Sequence, residues 1–158
     1  MLSQAQADSL RTMPKRLLTP GGIGLPSAGD RMTWEAESLD HREKFLIDAN
    51  RRGKIVLHRC TYQERYRVVD ILARLDVGGT LHTNPNVEKV PLAMFFDFNG
   101  ITLPCPHLHV YVEGFDDRWA IPAPKKNFPN IGDLTATLES FLRYCGIAEF
   151  PPAQAALY

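Results

Sequence analysis

His107, His109, Tyr111 and Glu113 recur at every second position of the run His107-Leu108-His109-Val110-Tyr111-Val112-Glu113. Side chains alternate across a β-strand. The spacing therefore predicts two imidazoles, a phenol and a carboxylate in one row, with Leu108, Val110 and Val112 buried on the opposite face. An unperturbed imidazole titrates near pH ~6.5, so each ring can take up or release a proton under ordinary conditions. Two of them could act as base and acid on opposite sides of a phosphodiester. Cleavage of RNA through its 2′-hydroxyl needs little else beyond a cation for the phosphate. Arg74 is the expected phosphate clamp, because a guanidinium pairs bidentately with phosphate. Tyr111 and Glu113 are expected to orient the reacting groups, and His82, Asn84 and Arg118 to contact substrate.

Other chemistry fits the same row. A small antiparallel sheet carrying His, Arg, Tyr and Glu on one face is similar to metal-independent bacterial ribonucleases and ribonuclease toxins. The spacing His-x-His-x3-Glu also resembles the first cupin motif, which would make His107, His109 and Glu113 ligands of a first-row metal. The cupin pattern needs a further downstream His. None follows His109, so His58 or His82 would have to replace it. A polar sheet face is equally what a non-catalytic binding surface presents. In the plainest case Glu113 pairs with Arg118 across a hairpin and the row has no further role.

The elements that must position these residues can be read from periodicity and turn chemistry. Residues 3–13 suit a short amphipathic helix with Ser3 as N-cap and Pro14 as its stop. The Gly- and Pro-rich stretch 19–30 reads as an irregular loop. Met32–Ala36 alternates as a short strand. Phe45–Ala49 and Lys54–His58 flank a Gly53-containing turn, which predicts a hairpin, with a helix over 40–50 as the competing reading. From Tyr66 to Val77 a single long strand is expected, with Val69, Ile71, Ala73, Leu75 and Val77 inward and Tyr66, Asp70, Arg74 and Asp76 on the wetter side. Met94-Phe95-Phe96 reads as a buried strand before the turn signal Asn99-Gly100. Pro104 and Pro106 mark the entry to strand 107–113, and Arg118–Ile121 returns from a turn at 114–117. A helix from Asp133 to Tyr144 closes the chain, capped by Asp133 and stopped by Gly146, with Leu134, Leu138, Phe141 and Leu142 as its apolar stripe.

These elements make one α+β domain over 1–158: a twisted antiparallel sheet of about five or six strands, a short N-terminal helix and a packed C-terminal helix. The chain of 158 residues is long enough to bury a core without staples. Lys and Arg number 18 and Asp and Glu 18, a balance that argues against a non-specific nucleic-acid binder. Cys60, Cys105 and Cys145 are odd in number and lack CxxC spacing, which predicts reduced thiols and a cytoplasmic location. The N-terminus lacks the apolar stretch of a secretory signal, and no run reaches the ~18 apolar residues of a membrane span.

Several blocks follow one another in a specific order: Thr61-Tyr62-Gln63-Glu64-Arg65, Arg74-Leu75-Asp76-Val77-Gly78, His82-Thr83-Asn84-Pro85, Pro104-Cys105-Pro106-His107-Leu108-His109, Glu113-Gly114 and Trp119-Ala120. Together they resemble a family of small bacterial proteins described as a domain of unknown function. The resemblance implies a cytoplasmic protein carried on mobile elements or phage-like islands. It also implies that the Arg74/Asp76, His82/Asn84 and His107/His109 blocks converge in space. The leading expectation is a metal-independent, cofactor-free ribonuclease or nucleic-acid-processing protein of a toxin or mobile-element conflict system, acting on RNA. The alternatives are a non-catalytic binding protein with a protein partner, such as a phage-encoded inhibitor of a host defence nuclease, and a metal-binding protein.

Overall fold

The computed structural model describes residues 1–18, 21–53 and 58–155. Helix α1 (Gln4–Thr12) begins where expected, with a capping box in which the Ser3 hydroxyl accepts from the Gln6 amide and the Gln6 side chain returns to Ser3 N. Strands β1 (Lys15–Leu17), β2 (Arg31–Ser38), β3 (Lys44–Asn50), β4 (Cys60–Tyr66) and β5 (Asp70–Val77) follow. A two-stranded ribbon, β6 (His82–Thr83) with β7 (Thr102–Leu103), encloses a single 3-10 segment over Ala93–Phe98. Then come β8 (His107–Val112), β9 (Asp116–Pro122) and α2 (Leu134–Tyr144), whose first turn is held by Asp133 accepting from Thr135 N and Ala136 N.

Among the described residues the main sheet has seven strands in the order β1-β2-β3-β4-β5-β8-β9, each pair antiparallel. The α+β class and both terminal helices are as the sequence suggests, but the strand count exceeds the expected five or six. Two of the seven, β1 and β4, have no counterpart among the expected strands apart from Tyr66 at the end of β4. The three-residue β1 lies in a stretch too short to show a period. The expected strand from Tyr66 to Val77 is the end of β4, a turn and all of β5, with Arg67 and Val68 at φ 49° and 68°. Val68 is β-branched, so nothing in its type signals a left-handed turn. Strand β3 replaces the competing helix over 40–50, and its hairpin partner is β4. The core of the expected strand Lys54–His58 falls outside the described residues, and His58 itself is exposed in a turn. Met94-Phe95-Phe96 is 3-10 rather than strand, and only Phe95 is buried.

One face of the sheet is the core. Trp34, Ala36, Phe45, Ile47, Ala49, Tyr62, Leu75, Leu108 and Val110 are all buried there. Both helices cover this face. The Tyr62 hydroxyl donates to Leu134 O at 2.6 Å, and Arg11 of α1 donates to the Tyr144 hydroxyl of α2 at 3.1 Å. Gly146 (φ 84°) lets the end of α2 come close to α1, since a Cβ there would meet Met13 O at 2.3 Å. The register sets two polar rows across the other face: Arg31, Asn50, Thr61, Asp76 and His107 in one, and Thr33, Asp48, Gln63, Arg74 and His109 in the next. Among the described residues no helix is long and apolar enough to cross a membrane.

Candidate functional site

Arg74 and Asp76 lie on one face of β5 because they are two apart. Antiparallel pairing of β5 with β8 sets Arg74 opposite His109 and Asp76 opposite His107. The convergence of these two blocks follows from register alone. The His82/Asn84 block joins them from the ribbon. The His82 ring centroid lies 4.4 Å from that of His109 and 5.7 Å from that of His107, which are 5.0 Å from each other. His82 Nε2 donates to Arg118 O at 2.9 Å. Asn84 acts as a missing strand partner along the outer edge of β9, taking the Ala120 amide and giving to the Ala120 carbonyl, both at 2.8 Å. The ribbon thus covers the imidazole pair, and His107 and His109 are 1% and 0% exposed.

Hydrogen bonding fixes the tautomers of the two rings. His109 Nδ1 is 2.7 Å from Asp117 O, and His107 Nδ1 is 3.1 Å from Pro104 O. A carbonyl only accepts, so both Nδ1 atoms carry the proton and each neutral ring presents a lone pair at Nε2. Both Nε2 atoms lie close to the same oxygen: Asp76 Oδ2 is 3.2 Å from His107 Nε2, in line with the ring, and 3.3 Å from His109 Nε2, whose lone pair faces Arg74 Nη2. These three ligand atoms lie within 4.8 Å of one another. Burial works to raise the Asp76 pKa, but a further proton on the facing Nε2 of His107 or His109 turns that ring into a donor and, with Arg74 beside it, holds the carboxyl well below the ordinary carboxylate range. Burial lowers the His82 pKa, and neighbouring His109 adds to the effect.

Arg74 is clamped among these groups. Its Nη1 donates to Asp117 Oδ2, its Nη2 lies 3.0 Å from His109 Nε2, and its Nε forms a 3.2 Å ion pair with Asp76 Oδ1. That ion pair lacks hydrogen-bond alignment, and neither atom has another hydrogen-bond partner. Asp48, in the same polar row as Arg74, shows the contrast. It accepts from Thr33, Gln63 and both Nε and Nη2 of Arg65, between 2.6 and 2.9 Å. Asp48 has its donors, whereas Asp76 and the imidazoles bring three electron-pair donors to one point.

The remaining expected site residues lie elsewhere. A bulge between Val110 and Val112 interrupts the pairing of β8 with β9. The Tyr111 hydroxyl bonds to Leu2 N and Leu2 O, and Glu113 accepts from Gln4 N at 2.9 Å, so both hold the start of α1. Glu113 therefore neither serves as third ligand nor pairs with Arg118. The Arg118 guanidinium closes its own turn on Gly114 O and Phe115 O, and Asn84 is spent on Ala120 and Phe98. Asp76 and Asp117 are the members the sequence reading left without a role. Asp76 carried a signal, its alternation with Arg74, whereas Asp117 lay in a turn with nothing to distinguish it. Cys105, half-buried beside His107, accepts from Gly79 N and gives to Thr80 O, and burial pushes its thiol pKa up, away from nucleophilic use.

The chain belongs to a family of unknown function (DUF6978), whose model matches residues 2–147 and so spans every residue of this cluster. No curated protein and no solved structure matches it.

Proposed function

We propose that this chain is a metal-binding protein whose centre, Asp76 with His107 and His109, holds one divalent cation of the zinc and iron group and performs metal-assisted hydrolysis. The observation that carries this reading is the pair of Nε2 atoms lying 3.2 and 3.3 Å from Asp76 Oδ2, each ring steered by an Nδ1–H bond to a main-chain carbonyl. Ligands bound to zinc at roughly 2.0–2.1 Å in tetrahedral geometry lie about 3.3–3.4 Å apart, so the observed separations match ligand–ligand edges around a metal. A back-side hydrogen bond from Nδ1 is the usual support of a ligating imidazole. Without a cation, His107 and Asp76 face each other acceptor to acceptor unless the ring is protonated. Two imidazoles and one carboxylate leave a coordination position for water, whose pKa a zinc-class ion lowers to about 7.

Metal-independent cleavage of RNA, with His107 and His109 as proton carriers, would need substrate to reach two rings that are 0–1% exposed, and an Arg74 free to clamp phosphate. The burial and the clamped guanidinium support the metal reading over it. RNA stays within the proposal as one hydrolysable substrate, and a cytoplasmic setting suits the three free cysteines. The test is metal analysis of protein purified without a histidine tag. The expected result is one equivalent of zinc or iron per chain, lost in His109→Ala and Asp76→Asn variants that keep their circular dichroism. A wild type that carries no such metal and binds no added zinc overturns the reading. Cleavage of RNA that survives a chelator would restore the metal-free one.

A further inference from the structure

The proposed centre has a neighbour that a plain three-ligand site does not require. Arg74 Nη2, 3.0 Å from His109 Nε2, donates to the lone pair that a bound cation would use. We infer that Arg74 is a placeholder for the metal and becomes the second half of an oxyanion site once the metal is bound, so that the ligand of this protein carries a phosphate-type group. This rests on the metal reading above. A cation that takes the His109 lone pair strips Nη2 of its acceptor, while Nη1 stays anchored on Asp117. The guanidinium is then held at one end with a free N–H pair beside the metal. With neutral imidazoles, Asp76, Asp117 and Arg74 carry a formal charge of −1, and a divalent ion turns it to +1. The loaded site therefore attracts an anion that the unloaded site repels. Access agrees with this direction. The side chains of Arg74, Asp117 and Asp76 are 25%, 22% and 18% exposed, whereas the imidazoles are closed off, so a ligand reaches the metal past the guanidinium. An oxyanion with one oxygen on the metal and another on Arg74 satisfies both charges, the arrangement in which arginine and a metal polarise a phosphoryl group.

The experiment titrates inorganic phosphate into cobalt(II)-loaded and metal-free protein, read by the cobalt absorption spectrum and by calorimetry. The loaded wild type is expected to bind phosphate at least tenfold more tightly than the metal-free form. Arg74→Gln is expected to retain cobalt at equal or higher affinity, since the competing N–H is gone, but to lose at least tenfold in phosphate affinity. Arg74→Lys, which keeps the charge without the fork, falls between them and serves if Arg74→Gln does not fold. If the wild type binds no cobalt or zinc, the metal reading itself is lost. If it binds metal, but phosphate affinity is unchanged by loading or by removing Arg74, the oxyanion inference alone is overturned.

Discussion

Two carboxylates on adjacent strands, the buried Glu64 on β4 and the half-buried Asp76 on β5, point to opposite faces of the same sheet and are treated in opposite ways. Glu64 lies on the core face with Lys15 at 2.9 Å, and both side chains are fully buried. The Lys15 ammonium also donates to Arg11 O, Met13 O and Cys145 O at 3.0, 3.2 and 2.7 Å and sits 4.6 Å from the Phe45 ring centroid. It gathers the negative carbonyl ends of both helices onto the sheet, a use that helix termini favour. Burial pushes the Glu64 carboxyl up to about 7 despite the lysine. Asp76, by contrast, lies on a partly open face, where Arg74 and any Nε2 proton on the facing rings hold its carboxyl low. The core cluster is built around a cation supplied by the chain. The cluster on the other face has a surplus of electron pairs and only a borrowed guanidinium to meet them. Clusters of the first kind hold a fold together, and those of the second kind are the ones to test for a ligand.

The sharpest way to break this contrast is Lys15→Met. It leaves Glu64 dry and unpaired and frees three carbonyls, so a loss of about 3–5 kcal/mol is expected in denaturant unfolding, with metal affinity of the folded fraction unchanged. A neutral outcome would mean the core pair is not structural. The next effect is one of pH. Because the folded-state pKa of Glu64 is raised from 4.5 to about 7, the fold favours the protonated acid. Its contribution is complete below pH ~4.5 and is lost as pH rises through ~7. Relative to Glu64→Gln, the wild type should lose up to about 3 kcal/mol between pH 4.5 and 7.5 in thermal or denaturant melts. Parallel pH profiles for the two proteins would remove Glu64 as the titrating group.

The difference between the clusters also separates what the sequence discloses from what it hides. Local pattern is enough for α1, with Ser3 and Pro14 at its ends, and for α2, with Asp133 and Gly146. It is enough as well for the alternation that buries Leu108, Val110 and Val112 and aligns His107 with His109. Period two likewise sets Arg74 beside Asp76. Register against a distant strand has no local signal, so the partners of the imidazoles could be placed only through the recurring sequence blocks. Tyr111 and Glu113 follow the same alternation on paper, but the bulge and the grip of α1 remove them, and both are effects of tertiary packing. The left-handed turn at Arg67 and Val68 carries no Gly or Asn, so the expected strand 66–77 runs through it to the last residue of β4, and the rest of β4 has no strand signal. Lys15 looks like an ordinary surface lysine after a helix, and only the meeting of α1 and α2 over Glu64 makes it a core residue.

The smallest expected effect concerns how the two clusters are closed. The core cluster lies under two helices, whereas the imidazoles are covered by a ribbon with only two residue pairings, His82 to Leu103 and Thr83 to Thr102. The ribbon is tied to β9 chiefly by Asn84, which is 2% exposed and makes three side-chain hydrogen bonds, two of them to Ala120. Asn84→Ala leaves the Ala120 amide and carbonyl without partners at a buried edge, a cost of about 1–3 kcal/mol. That cost falls on the closed ribbon, because opening it returns both groups to water. Amide exchange of His82, Thr83, Thr102 and Leu103 should therefore speed up by roughly tenfold or more, while amides of the β4–β5 pair keep their wild-type rates. An equal acceleration in both regions would show that ribbon and core open together, and that the imidazole pair is sealed as firmly as Lys15 and Glu64. Selective acceleration would mark the ribbon as the cover through which a cation reaches His107 and His109.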